Sequence, residues 1–231
     1  GGSHAQHWLP ALEEIARQRR WRVVNLTKAA CLFTGGPQTY KGKRYTACEE
    51  WNRNAMAELG RLKPDIVFTT STTTARDRQR GYTEELVVDG YVDRWRELGR
   101  MGIDVVAIRD TPRMGFNVPE CLAESEPEEC TAPSAKSLAA VSPLKGLTVP
   151  ANVTTLDLTH VFCRSGECPS VIGNLIVYWD DSHVGKTFMR TLAPEFERQL
   201  TEAEAQAKAR ARAKAKARER RKAGAGERRQ P

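Results

Sequence analysis

The chain has 231 residues, enough for one globular domain with a sizeable core and an appendage. Its formal charge of +7 belongs to one end: 11 of the 36 Lys and Arg and 4 of the 29 Asp and Glu fall in residues 201–231, which leaves 25 of each sign in the body. A neutral body argues against nucleic-acid binding, which needs a basic face, and no apolar run approaches the ~20 residues that cross a bilayer. With neither an initiator Met nor a signal-peptide pattern, the sequence reads as a fragment; if the protein is exported, its export signal or membrane anchor is expected upstream of Gly1.

Gly1-Gly2-Ser3-His4 places a serine behind two glycines at the front of a helix-like segment. Trp8, Leu12, Ile15 and Ala16 continue at helical spacing, and the compact apolar run Trp21 to Leu26 reads as a strand. A second cycle follows, with Trp51, Met56, Leu59 and Leu62 on a helix and Ile66-Val67-Phe68 as a strand after Pro64. Residues 84–100 read as another helix carrying Leu86, Val87, Tyr91, Trp95 and Leu98, and Ile103 to Ile108 as the next strand. This alternation predicts a three-layer α/β domain with a mostly parallel sheet.

The stretch from Asp110 to Pro150 reads as a long irregular excursion with a short helix near Ser137, either a substrate-facing wall or a disulfide-stapled insertion. Leu156-Asp157-Leu158 and Val171 to Val177 complete the strand-like segments, and residues 184–199 return as a helix. Residues 1–200 therefore form the domain. Residues 201–231, Ala alternating with Lys, Arg and Glu, form a basic low-complexity tail, a helical extension or disordered. The functional alternative for the tail is an electrostatic contact with anionic lipid or cell-wall polymer.

Six cysteines fall into three sequence-local pairs, Cys31 with Cys48, Cys121 with Cys130, and Cys163 with Cys168. Fifteen connectivities exist for six cysteines, and locality alone does not choose among them. The even count and the absence of Cys-x-x-C favour disulfides and an oxidising compartment over zinc, because the four His are not at ligand-like spacings. No metal and no cofactor is expected.

Ser3 on its Gly-bearing turn, together with Asp180-Asp181-Ser182-His183 near the other end, suggests a Ser-His-Asp hydrolase or acyltransferase. Asp180 and His183, three apart, can orient and supply the general base, with Asp181 as a competing acid. His4 at a helix start and Trp8 on the apolar face read as structural. Arg109, Asp110 and Arg113, near a strand end, read as a surface ion-pair cluster rather than a site wall.

Gly1 to Leu12, Lys28 to Cys31, Cys48 to Asn52, Arg109 to Arg113 and Tyr178 to His183 occur in one order. Over nearly the whole of residues 1–200 this resembles the extracytoplasmic SGNH-hydrolase domain that follows the membrane domain in acyltransferase-3 proteins, a subgroup of the GDSL-like esterases and O-acyltransferases. The resemblance implies a flavodoxin-like α/β/α fold, with Ser3 as nucleophile, His183 as base and Asp180 as its partner. It also implies an acyl donor delivered by an upstream membrane acyltransferase domain and a cell-surface glycan or glycolipid acceptor. The domain would then be extracytoplasmic, attached to the membrane through an upstream segment.

Two departures stand out. The family reads Gly-Asp-Ser-His where this chain has Gly2, and the wider family draws oxyanion donors from a Gly and an Asn in two further loops. Here those loops offer Ala30 and Thr70-Ser71-Thr72, so the expected donors are the amides of Ser3 and Ala30 and the hydroxyl of Ser71. The departures prompt a different-class alternative, a catalytically inactive SGNH-like binding or scaffold module. Since the nucleophile of such a fold follows its first parallel strand, that strand is expected upstream of Gly1, as an interior strand of the sheet.

Overall fold

The computed structural model describes residues 1–77 and 81–209. The short helix α1 (Ser3–Gln6) leads directly into α2 (Leu9–Arg19), which starts favourably with Pro10 in its first turn and ends where Arg20 turns left-handed. After an irregular stretch come a small hairpin of β1 (Thr39–Tyr40) and β2 (Lys43–Arg44), then α3 (Thr46–Leu62), β3 (Ile66–Thr70), β4 (Thr73–Asp77), β5 (Gly81–Leu86), α4 (Tyr91–Arg100) and β6 (Asp104–Ile108). The excursion holds α5 (Val118–Glu124), β7 (Thr131–Pro133) and α6 (Ser134–Ser137). Beyond it lie β8 (Val153–Leu156), β9 (Glu167–Pro169), the hairpin β10 (Val171–Ile172) and β11 (Leu175–Ile176), and α7 (Lys186–Thr191).

The central sheet is parallel, in the order β3-β6-β8, with Val67 opposite Val105 and Val106 opposite Thr154. Successive residues of a strand point to opposite faces, and β6 shows it. Val105 and Ala107 join Phe33, Leu59, Trp95 and Leu98 on the side of α3 and α4, whereas Val106 and Ile108 join Trp8, Leu12, Ile15, Phe188 and Phe196 on the side of α2 and α7. A sheet buried on both faces between helices is the α/β architecture that the alternation predicts.

Several expected elements differ: the strand expected at Leu156-Asp157-Leu158 is Val153–Leu156, and Val171 to Val177 is a hairpin rather than one strand. Residues 84–86 belong to β5, antiparallel to β4, and only Tyr91–Arg100 is helical; Gly90, at φ 82°, makes the left-handed turn that separates them. Trp21 to Leu26 forms no strand, because no ladder partner lies beside it among the described residues. An apolar cavity of about 560 Å³ instead separates residues 20–27 from β3, lined among others by Leu12, Trp21, Leu26, Ile66 and Phe68. At its end the Gly1 amino group donates to Leu26 O at 3.1 Å and Lys28 N donates to Gly1 O at 3.0 Å, the bond pattern of a single parallel bridge.

All three local cysteine pairs are disulfides, with Cα–Cα distances of 5.4, 5.9 and 4.1 Å in chain order. Cys121–Cys130 staples the excursion behind α5, which is capped by Asn117 Oδ1 accepting from Glu120 N. Residues 193–209 are helical, and Arg19 reaches this helix through Glu197 (2.7 Å), Glu204 (2.7 Å) and the Thr201 hydroxyl (3.0 Å). The greater part of the expected tail, residues 210–231, lies outside the described residues.

Candidate active site

Gly2 precedes α1 as its N-cap, and Ser3 is the first helical residue. A Cβ at Gly2 would stand 3.1 Å from Cys31 O, so the turn is packed against the Lys28–Cys31 loop that the Cys31–Cys48 disulfide ties to α3. The loop between β11 and α7 brings the partners. Tyr178 and Val184 form an antiparallel bridge, Trp179 N donates to His183 O at 3.0 Å, and the turn they close presents Asp180 and His183. Ser3 Oγ lies 2.7 Å from His183 Nε2, and His183 Nδ1 lies 2.6 Å from Asp180 Oδ2. Asp180 Oδ1 accepts from the amides of Ser182 and His183, each at 2.7 Å. Burial raises the Asp180 carboxyl, but those two amide bonds and the His183 ring outweigh it and hold the group below its ordinary value. An ionised Asp180 accepts from Nδ1–H, which leaves the Nε2 lone pair to receive the Ser3 proton. Asp181 instead accepts from the Ser182 hydroxyl at 3.0 Å.

A second polar layer lies beneath. Asp110, just past the C-terminal end of β6, accepts from His4 Nδ1 at 2.8 Å, from Arg113 at 2.6 Å and from Thr111 N at 2.9 Å. Its own amide donates to Thr72 Oγ1 at 3.0 Å, and the Thr72 hydroxyl donates to Glu85 at 2.8 Å. Glu85 takes a two-pronged pair from Arg109, at 2.9 and 2.6 Å, and Arg109 also reaches Asp157 at 3.0 Å and Ala139 O at 2.5 Å. The expected surface cluster of Arg109, Asp110 and Arg113 is thus corrected. All three are buried, because His4, Glu85 and Asp157 arrive from other elements to neutralise them.

Burial pushes the Asp110 carboxyl up, yet the charges of His4 and Arg113 and the His4 hydrogen bond hold it well below the usual carboxylate range. Burial pushes His4 below the ordinary imidazole value and His7 further below it. His4 Nδ1 faces Asp110, and the His4 ring centroid lies 4.6 Å from that of His183. His4, His7 and Asp110 have the donor types for a metal, with ligand atoms within 4.8 Å of one another, but both Asp110 oxygens are already engaged by His4, Thr111 and Arg113.

A family model described as the SGNH domain fused to AT3 domains matches residues 1–198. The chain belongs to that family. Its fold is similar to that of the periplasmic domain of a lipopolysaccharide acetyltransferase from Salmonella ser. Paratyphi A, with a TM-score of 0.61 and 16% identity over 87% of this chain and 81% of that one. No curated protein matches the chain. Membership of the SGNH family supports an enzyme that transfers or hydrolyses acyl groups. The three disulfides suggest an extracytoplasmic setting. Among the described residues no helix is long and apolar enough to cross a membrane.

In this SGNH domain the expected oxyanion donors differ in what they have left to give. The Ser3 amide lies in the first helical turn, where no carbonyl of the same helix can receive it. Ala30 is exposed and left-handed at φ 52°, in the loop that touches Gly2. Ser71 N is already donated to Ile108 O at 2.6 Å, so only its hydroxyl remains, buried and with no hydrogen-bond partner among the described residues. Sequence reasoning missed Thr72, Glu85 and the pairing of His4 with Asp110. The position of His4 beside Ser3, and of Asp110 just past a parallel strand end, was the available signal.

Proposed function

We propose that this SGNH domain transfers an acyl group, acetyl in the first instance, to a hydroxyl of a cell-surface glycan or glycolipid through Ser3, His183 and Asp180. The observation that carries the reading is the hydrogen-bonded chain from Ser3 Oγ through His183 to Asp180. Ser3 Oγ attacks the acyl carbonyl and gives its proton to His183 Nε2, while Asp180 holds the ring and faces the imidazolium. The amides of Ser3 and Ala30 and the Ser71 hydroxyl are the candidate donors to the oxyanion. Collapse expels the donor's leaving group, which takes the proton from His183, and leaves an acyl-serine. An acceptor hydroxyl then attacks the acyl carbon, its proton passes to His183, and Ser3 Oγ departs with that proton. Water in place of the acceptor makes the same cycle an esterase.

Acyl transfer is supported by the family, and the acceptor class is suggested by the name of the structural neighbour, a lipopolysaccharide acetyltransferase. In the same reading the domain is extracytoplasmic, held at the membrane by an upstream segment, and takes its acyl donor from an upstream membrane acyltransferase domain. The inactive-module alternative is disfavoured by the short Ser3–His183 contact, which a module without chemistry has no need to keep. Fluorophosphonate labelling decides between them. The enzyme labels at Ser3, loses the label in Ser3→Ala, and forms an acyl-serine detectable by peptide mass when given an acetyl ester. A folded protein with no label and no acyl-serine would establish the inactive module.

A further inference from the structure

Trp179 is the most exposed large hydrophobic side chain among the described residues, at 62%. It is nevertheless fixed in place. Its amide is bonded to His183 O at 3.0 Å inside the turn closed by the Tyr178–Val184 bridge. Its ring centroid stands 5.3 Å from that of His183, with the planes tilted by 36°. Ile176, three residues earlier, is also exposed, at 53%. The core does not need this indole, since Trp8, Trp95, Tyr91 and Tyr178 fill it with almost no exposure.

We infer that Trp179 is a stacking platform for the pyranose ring of the acceptor, and so a specificity-determining residue for acyl transfer. The inference rests on the acyl-transfer reading above. One face of a pyranose carries several C–H bonds, weakly polarised positive, and an indole face is electron-rich and apolar. A sugar laid on Trp179 excludes water from both surfaces while its hydroxyls stay free at the rim. The neighbouring His183 Nε2 is where an acceptor hydroxyl must deliver its proton, so a ring held on the indole is already beside the base. A rigid backbone under the aromatic makes the contact inexpensive in conformational entropy.

The test separates ring recognition from chemistry. Binding is read on the Ser3→Ala protein by saturation-transfer NMR with a methyl pyranoside and with glycerol, which has hydroxyls but no ring face. The pyranoside should show contact through its C–H protons, lost in Ser3→Ala/Trp179→Ala and kept in Ser3→Ala/Trp179→Phe; glycerol should show none. In the Ser3-containing enzyme, Trp179→Ala should raise the pyranoside KM about tenfold or more in acetyl transfer, with Trp179→Phe restoring most of it. Equal pyranoside contact in the Trp179→Ala protein, or a fall in kcat shared by glycerol and pyranoside with KM unchanged, would reduce Trp179 to a cover for His183 and overturn the platform. Pyranoside binding at Trp179 in a protein that makes no acyl-serine would keep the platform and remove the enzyme.

Discussion

Ser3 Oγ and His183 Nε2 stand 2.7 Å apart although 180 positions separate them in the chain. The contact exists because the start of α1 and the turn before α7 meet on one side of the sheet, where Trp8 and Phe188 share a core. Asp180 sets the direction of the ring, since its Oδ2 takes the Nδ1 proton and its Oδ1 is pinned by two amides. Asp180→Asn should therefore leave the fold intact and lower kcat by about 10³–10⁴, because an amide donor facing Nδ1 favours the wrong tautomer. Asp181→Asn should leave turnover nearly unchanged. Steady-state kinetics on a small acetyl ester, with melting curves for both variants, checks the pair. A larger loss in Asp181→Asn than in Asp180→Asn would reassign the acid.

Stability should fall on mild acidification. His4 and His7 are held below the ordinary imidazole value by burial, and the Gly1 amino group is pushed down to about 5 by the same cause. Each folded value lies below its unfolded one, so the native state binds fewer protons. The associated stability is complete above the unfolded value and is lost as pH falls. The melting temperature should drop between about pH 8 and pH 5, before free carboxylates titrate. A second loss follows below about pH 4, where Asp110 and Asp180, both held low in the fold, begin to protonate in the unfolded chain. Thermal melts from pH 8 to pH 3 measure it, and a flat profile down to pH 5 would contradict the burial of the histidines.

The parallel core was legible because β3 and β6 are continuous apolar runs flanked by helices with one apolar face each. The pairing of Asp180 with His183 was legible for a local reason, since in Asp-x-x-His one carboxylate can accept both the amide and the ring of the same histidine, whereas the candidate role of Ser3, 180 positions away, came from the resemblance. The charged layer was not. Arg109, Asp110 and Arg113 look like surface residues because isolated charges are seldom buried, and their burial depends on Glu85 and His4, which sequence spacing does not connect to them. Glu85 was further hidden by the helical spacing of Leu86, Val87 and Tyr91, a period that runs unbroken through the left-handed Gly90. Trp21 to Leu26 has the composition of a strand, but a strand exists only with a partner.

Glu85 offers a sharp test of the buried layer. It accepts from Arg109, Thr72 and Ala139 N and is almost without exposure. Glu85→Gln leaves Arg109 with Asp157 as its remaining carboxylate partner among the described residues, short of the full stranding that costs about 3–5 kcal/mol, so stability should fall by about 1–3 kcal/mol. Since the Thr72 hydroxyl passes the arrangement on to Asp110, labelling of Ser3 should weaken in the protein that remains folded. Denaturant melts give the first quantity and probe labelling below the transition the second. A change under about 1 kcal/mol would place the pair in the weak surface class.

A cavity of about 560 Å³ lies between residues 20–27 and β3. Adjacent strands lie about 4.8 Å apart, so one strand fits between two flanks separated by roughly twice that. The edge of β3 away from β6 has no ladder among the described residues, and Gly1 already makes the two bonds of a parallel bridge with Leu26 and Lys28. Fusing an apolar segment of about ten residues, a strand and a turn, to the Gly1 amino group should continue that bridge, cover Ile66 and Phe68, and steady the turn that carries Ser3. It also converts a buried amine into a peptide, so part of the pH 5–8 slope should vanish with it. The apolar extension should raise the melting temperature and the labelling of Ser3 together under identical oxidising conditions, whereas a polar, proline-containing extension of the same length should do neither. Equal melting and equal labelling in the extended, control and unextended proteins would mean that the cavity does not receive a strand and that Ser3 is held without one.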